Sequence, residues 1–186
     1  HKIMEVKFKK LSDKAVTPTY AYDGDAGLDL TATNIHSEVN ECGQFVLVYH
    51  TDLSIEIPKG YVGLVFPRSS IAKKSLTLTN CVGVIDSNYR GEILAKFKNT
   101  TGDSVPAVYP IGAKIAQLVI MPYPTINLVE SNELSNTERG TGGFGSSDKE
   151  VNSDDQQNFE GEKNFNSSEL DHAEAEVEST TSESAE

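Results

Sequence analysis

Apolar residues in this chain recur with a period of two, in short runs that glycine or proline closes, and no segment keeps a long helical period. Residues 4–10 set Met4, Val6 and Phe8 against Glu5, Lys7 and Lys9, the alternation of a half-buried strand. Residues 26–30, 44–50, 53–57, 61–66, 76–79, 92–98 and 113–121 read as further strands, with Ile93, Ala95 and Phe97 on one face of theirs. Strands this short, broken by turns, specify an all-β sandwich or jelly roll. About 130 ordered residues are enough to bury a core.

Charge divides the chain in two. Residues 1–147 carry fifteen acidic and fourteen basic side chains, a net of −1, and residues 148–186 carry thirteen and two, a net of −11, which together make −12. The expected organisation is a near-neutral domain over 1–147 and an acidic, disordered tail over 148–186, too poor in apolar residues to offset its chain entropy. A helical spacing of Leu170, Ala173 and Val177 within 168–178 marks a transient helix, and nothing in the tail names its partner. The body has no basic excess, against a direct nucleic-acid role. No apolar run reaches the roughly 18 residues of a membrane span. The N-terminus lacks a signal-peptide core, so a cytoplasmic protein (nuclear, or in host cytoplasm if viral) that is not secreted is expected. Met4 is the expected natural start. Cys42 and Cys81 allow one bridge but no disulfide framework. The four histidines show no metal-ligand spacing.

Chemistry concentrates in a few stretches. Residues 80–91, Asn-Cys-Val-Gly-Val-Ile-Asp-Ser-Asn-Tyr-Arg-Gly, form a hairpin or strand end that holds the carboxylate of Asp86 and the ring of Tyr89 at a fixed offset; the rival reading is a surface turn whose Asp caps a backbone amide. At Pro67-Arg68-Ser69-Ser70 a strand ends, and a helical turn capped by Ser69 or Ser70 offers N–H groups, hydroxyls and a guanidinium to an anion. Gln117, alone in an apolar strand, either ties the core or reaches a ligand. Asp23, Asp25 and Asp29 do not make a calcium loop, because Asn34 stands where the bidentate Glu is needed. Asp29 lies within an apolar run and needs its own explanation. Residues 138–147 surround Phe144 with four glycines; such a loop can wrap phosphate, but it lacks the Walker ending, and Phe144 suits stacking on a flat ligand. A flexible linker is the competing reading of that loop.

Five of these segments, in order, resemble the motifs of the trimeric dUTP diphosphatases (dUTPases): residues 26–30, 67–70, 83–91, 114–117 and 139–147. The resemblance spans about residues 4–147. It departs from the family pattern at Ser70, where many members have Gly, at Lys114, where Arg is common, and at Asp148, where the chain continues into its tail. The resemblance implies a jelly-roll subunit in a homotrimer with shared active sites. It implies hydrolysis of dUTP to dUMP and diphosphate with Mg²⁺, which limits uracil incorporation into DNA and supplies dUMP for thymidylate synthesis. By the same resemblance Asp86 would orient and deprotonate the attacking water, and Tyr89 would pack under the deoxyribose. Asn80 and the backbone of Gly83, Val84 and Ile85 would read uracil. Arg68, Ser69, Ser70 and Gln117 would hold the phosphates and the water. Asp29 would reach the metal through its water shell. Arg139, Gly143, Gly145, Ser146 and Ser147 would close over the γ-phosphate, with Phe144 on the uracil. Two alternatives are a dCTP deaminase-like enzyme of the same fold, disfavoured by the Asp86 and Phe144 motifs, and a non-catalytic regulatory or binding trimer.

Overall fold

The computed structural model describes residues 3–100 and 108–147. Within them lie ten strands: β1 Lys7–Lys10, β2 Leu28–Thr31, β3 Asn34–Val39, β4 Phe45–His50, β5 Leu53–Glu56, β6 Tyr61–Pro67, β7 Leu76–Leu78, β8 Gly83–Ile85, β9 Leu94–Asn99 and β10 Lys114–Pro122. A 3₁₀ turn, Ser69–Lys73, follows β6. One four-stranded sheet has the order β2-β10-β6-β8, a second has β3-β4-β9-β7, and β1 pairs with β5. Every pairing is antiparallel.

The two larger sheets pack over one core. Leu30, Val65, Ala116 and Leu118 of the first sheet meet Tyr49, Leu76, Leu78, Ala95 and Phe97 of the second, with Leu53 and Ile55 from β5. The Phe97 ring stands edge-on to Tyr49 at 5.6 Å between centroids. The Tyr49 hydroxyl donates to Tyr109 O (2.8 Å) and accepts from Tyr109 N (3.0 Å), so one buried group satisfies both backbone atoms of a residue that no strand ladder reaches. Burial holds the Tyr49 phenol above its ordinary pKa of 10. This is the all-β, jelly-roll-type architecture that the period-two pattern specifies.

Three features depart from the sequence reading or are concealed in it. Residues 34–39 form β3, which polar composition conceals: it is an edge strand, and only Ile35 of its six side chains is even partly buried. β1 is exposed along its whole length rather than half-buried, and Met4, Val6 and Phe8 line an open apolar groove with Tyr20, Leu28 and Ile120. β7 and β8 do not close a hairpin on each other. β7 pairs with β9 and β8 with β6, so the chain crosses between sheets at residues 79–82, where Cys81 takes a φ of 61°.

By its contacts the chain divides into His1–Val129 and Glu130–Glu186. Cys42 and Cys81 are free and exposed. The acidic tail, expected to be disordered, lies outside the described residues, as do its helical pattern at 168–178 and the polar loop at 101–107. Among the described residues no helix is long and apolar enough to cross a membrane.

Candidate functional site

The first group of site residues gathers where β2, β10 and β6 lie side by side. Asp29 and Gln117 are register partners, and Gln117 is opposite Phe66 on its other side. Gln117 Nε2 donates to Pro67 O at 3.0 Å, and the side chain lines an open groove of about 460 Å³ with Gly27, Asp29, Phe66, Arg68 and Ser69. Gly27 is needed for space, since a Cβ there would sit 2.6 Å from Gln117 Oε1. The Asp29 carboxylate is only 10% exposed, and its two partners explain its place in an apolar run. Oδ1 is 3.1 Å from Arg68 Nε and Oδ2 is 2.6 Å from Lys114 Nζ. One carboxylate thus holds two cations, and a second bond from Arg68 Nη1 to Lys114 O (3.2 Å) fixes the guanidinium at the groove. The Lys114 contact is an ion pair without hydrogen-bond alignment: among the described residues Oδ2 is buried with no aligned donor.

The 3₁₀ turn departs from the expected cap. Arg68 occupies the N-cap and no side chain caps the turn. Ser69 faces the groove, whereas the Ser70 hydroxyl lies 3.2 Å from the Tyr109 hydroxyl, tying the turn to the aromatic core. Tyr109 carried no signal in the sequence, because its role arises from partners 39 and 60 residues away.

The second group is the strand end after β8. Tyr89 N donates to Asp86 O at 3.1 Å, closing a four-residue turn that leaves the Asp86 side chain exposed. The Tyr89 hydroxyl donates to Glu92 O at 2.8 Å, which fixes the ring, and a Cβ at Gly91 would collide with that ring. Arg90 turns away, donating to Ser87 O and Tyr89 O at 2.8 and 2.9 Å. Asp86 and Tyr89 line one groove of about 240 Å³ with Val84, Ile85 and Glu92. Asn80, Gly83, Val84 and Ile85 line another of similar size, between the diverging strands β7 and β8. Val84 and Ile85 wall both, so the residues expected to read a base and the carboxylate expected to deprotonate the water are neighbours.

Arg68 and Asp86, however, lie at opposite ends of β6. Ile85 pairs with Gly63 near the start of β6, and Arg68 follows Pro67 at its end. The five residue steps from Gly63 to Arg68 span about 16 Å at about 3.3 Å each.

The third group belongs to the unit from Glu130. Its loop folds on itself: Arg139 Nε donates to Gly142 O (2.8 Å), Gly142 N to Arg139 O (3.0 Å) and Ser146 N to Gly143 O (3.0 Å). Gly142 is packed against Ser146 Oγ. Phe144 has a φ of 50° and is fully exposed, and Gly145 follows with 86°. A left-handed Phe in solvent is a strained, unsupported ring.

Both oxygens of Asp29 face cations, Arg68 and Lys114, so any metal at this groove would meet the carboxylate through water rather than directly. Mg²⁺ favours oxygen and is commonly held by one or two carboxylates, several waters and substrate phosphates. His50, Asp52 and Glu92 form a separate group of donor atoms within 4.8 Å of one another.

A groove walled by a partly buried arginine–aspartate pair selects an anion, and a bare ring in a glycine loop selects a flat one. With an exposed carboxylate on a rigid turn, these are the residue types that an all-β nucleotide hydrolase uses. The family follows from comparison: the dUTPase family model matches residues 13–148, and the chain belongs to that family. The deoxyuridine 5'-triphosphate nucleotidohydrolase of Alkaliphilus metalliredigens is 39% identical over 145 residues, 77% of this chain and 97% of that protein. The protein of that name from Hydrogenobaculum is 42% identical over 144 residues, with 77% and 97% covered. Among solved structures, a point mutant of the Staphylococcus bacteriophage 80alpha dUTPase with dUpNHpp superposes with a TM-score of 0.66 at 30% identity, covering 77% of this chain and 98% of that one. A point mutant of the dUTPase from phage phi11 of S. aureus, described with a structural Mg(II) ion, gives 0.58 at 27% identity, with 70% and 98% covered.

Proposed function

We propose that the protein hydrolyses dUTP to dUMP and diphosphate, and that residues 1–147 carry the activity. The observation that carries this reading is the strand end at Asp86, where an exposed carboxylate and a ring locked onto Glu92 O share one groove beside the divergent β7–β8 edge. Asp86 positions a water against the α-phosphorus and takes its proton. A carboxylate is a weak base, so positioning supplies much of the effect. Tyr89 packs under the deoxyribose and leaves no room for a 2′-hydroxyl. Asn80 and the backbone of Gly83, Val84 and Ile85 meet the uracil edge, where a wrong exocyclic group would leave buried polar atoms unpaired. Arg68, Ser69, Ser70 and Gln117 hold the phosphate chain and the water. Arg139, Gly143, Gly145, Ser146 and Ser147 enclose the γ-phosphate while Phe144 stacks on the base. Asp29 would hold Mg²⁺ through its water shell beside the phosphates, and the ion would supply neutralisation of phosphate charge.

The working unit is a homotrimer with sites shared between chains. Two features support it. The distance along β6 keeps Arg68 and Asp86 of one chain from meeting a single phosphate group, so each completes its site with residues of another subunit. The exposed β1 edge and its apolar groove, together with Tyr123, Ile126, Leu128 and Val129, leave apolar surface that a neighbour would cover. Two free cysteines agree with a reducing, cytoplasmic setting.

The experiment is diphosphate release from each dNTP and from UTP, with ammonia followed in parallel. Turnover of dUTP alone is expected; ammonia from dCTP would replace the reading by a deaminase, and no turnover of any would leave a binding trimer. Mixing Arg68→Ala with Asp86→Asn subunits tests sharing: refolded mixtures recover activity that neither parent has, and strict inactivity refutes shared sites.

A further inference from the structure

Two histidines that no substrate role uses face each other on the outer side of the second sheet. His36 is opposite Val48 and His50 opposite Asn34, so they are diagonal neighbours on adjacent antiparallel strands. The intervening residues Ile35 and Tyr49 point the other way, into the core. His36 Nδ1 and His50 Nε2 are 2.9 Å apart. Each ring's other nitrogen is on a carboxylate: His36 Nε2 is 3.2 Å from Glu38 Oε1, and His50 Nδ1 is 3.2 and 3.1 Å from the two oxygens of Glu92. The carboxylates are themselves held, Glu38 by Lys96 Nζ at 2.9 Å and Glu92 by the amide of Asp52 at 2.9 Å.

An ionised carboxylate only accepts hydrogen bonds. Both carboxylate-facing nitrogens therefore carry the hydrogens, and the two nitrogens that face each other present lone pairs. Two lone pairs at 2.9 Å repel unless a cation lies between them. Histidines that bind metal through one nitrogen and give the other to a carboxylate have this arrangement. The spacing fits as well: at metal–nitrogen distances of about 2.0–2.1 Å, two ligands at a right angle are about 2.9 Å apart. That is the geometry of neighbouring positions in a square-planar or octahedral site, the preference of Cu²⁺ and Ni²⁺. The surroundings favour a cation, because Glu38, Glu92 and Asp52 outnumber Lys96. Exposure of 45% at His36 and 23% at His50 leaves room for water to complete the shell. Asp52 is a poorer ligand here, since its Oδ2 is taken by the Ser12 hydroxyl.

We propose that His36 Nδ1 and His50 Nε2 bind a divalent transition ion that prefers imidazole, with Glu38 and Glu92 as its orienting partners. The two histidines lie outside the residues assigned to substrate and Mg²⁺, and the inference does not rest on the proposed hydrolysis. The full chain, stripped with a chelator and held in excess Mg²⁺, is titrated with Cu²⁺ and with Ni²⁺ by calorimetry, and the Cu²⁺ form is read by electron paramagnetic resonance. One ion per chain with nitrogen couplings from two imidazoles is expected. His36→Gln and His50→Gln each remove one coupling and weaken binding at least a hundredfold, and Glu38→Gln and Glu92→Gln weaken it about 10–100-fold. Unchanged dUTP turnover in His36→Gln shows that this variant is folded. Binding that survives both histidine substitutions places the ion elsewhere, for instance on His1 or His172, and overturns the proposal. No binding at all also overturns it, and leaves a proton shared between the rings.

Discussion

Replacing Gly27 by Ala ties stability to chemistry at one contact. The added Cβ would stand 2.6 Å from Gln117 Oε1, 3.1 Å from its Cβ and 3.3 Å from its Cδ. The amide end can rotate away, but only by breaking the 3.0 Å bond from Nε2 to Pro67 O. That bond is worth about 0.5–1.5 kcal/mol net, and the residual overpacking at the Gln117 stem adds about 1 kcal/mol. The sum is about 2 kcal/mol, or roughly 4–8 °C in Tm for a domain of this size. The displaced amide also leaves the groove of Asp29, Arg68 and Ser69, so turnover should fall about tenfold or more. Thermal unfolding and diphosphate release on Gly27→Ala, Gln117→Ala and the double variant form a cycle. Once Gln117 is an alanine there is nothing to collide with, so Gly27→Ala should then cost less than about 0.5 kcal/mol. If Gly27→Ala is as damaging in that background as in the native one, the collision is not the reason for the glycine.

Asp86→Asn should keep affinity for a non-hydrolysable dUTP analogue while kcat falls by about 10²–10⁴; native turnover would refute the role of Asp86. Asp52 is held below its ordinary carboxyl value of 3.8 chiefly by the Ser12 hydroxyl. Its contribution is therefore present above pH 3.8 and lost as pH falls through the lower folded value. Ser12→Ala raises that value, weakens the fold at neutral pH and moves the acid-unfolding midpoint up, a shift that circular dichroism across about pH 2–6 would detect; an unmoved midpoint would count against it. Removing residues 148–186 should leave dUTP turnover within about twofold, as their acidic, apolar-poor composition leads one to expect, and a tenfold loss would make the tail part of the site.

What the sequence determined by itself is local. Alternation placed Ile93, Ala95 and Phe97 inward, each at most 2% exposed. The apolar run ending at Asp86 announced a strand end, and Pro67 with its serines announced a turn, because strand period and turn chemistry act over a few residues. Partners are another matter. Period two says which face a side chain takes but not which strand lies beside it, and that choice is made by nonlocal packing. Only the tertiary structure therefore set β7 and β8 in different sheets and gave β3 a place as an edge. It put Ser70 against Tyr109 and Asp29 between two cations. It also carried Arg68 and Asp86 to opposite ends of one strand while bringing His36 and His50 together from fourteen residues apart. Each of those contacts joins segments distant in sequence, whose meeting depends on how two sheets share one core.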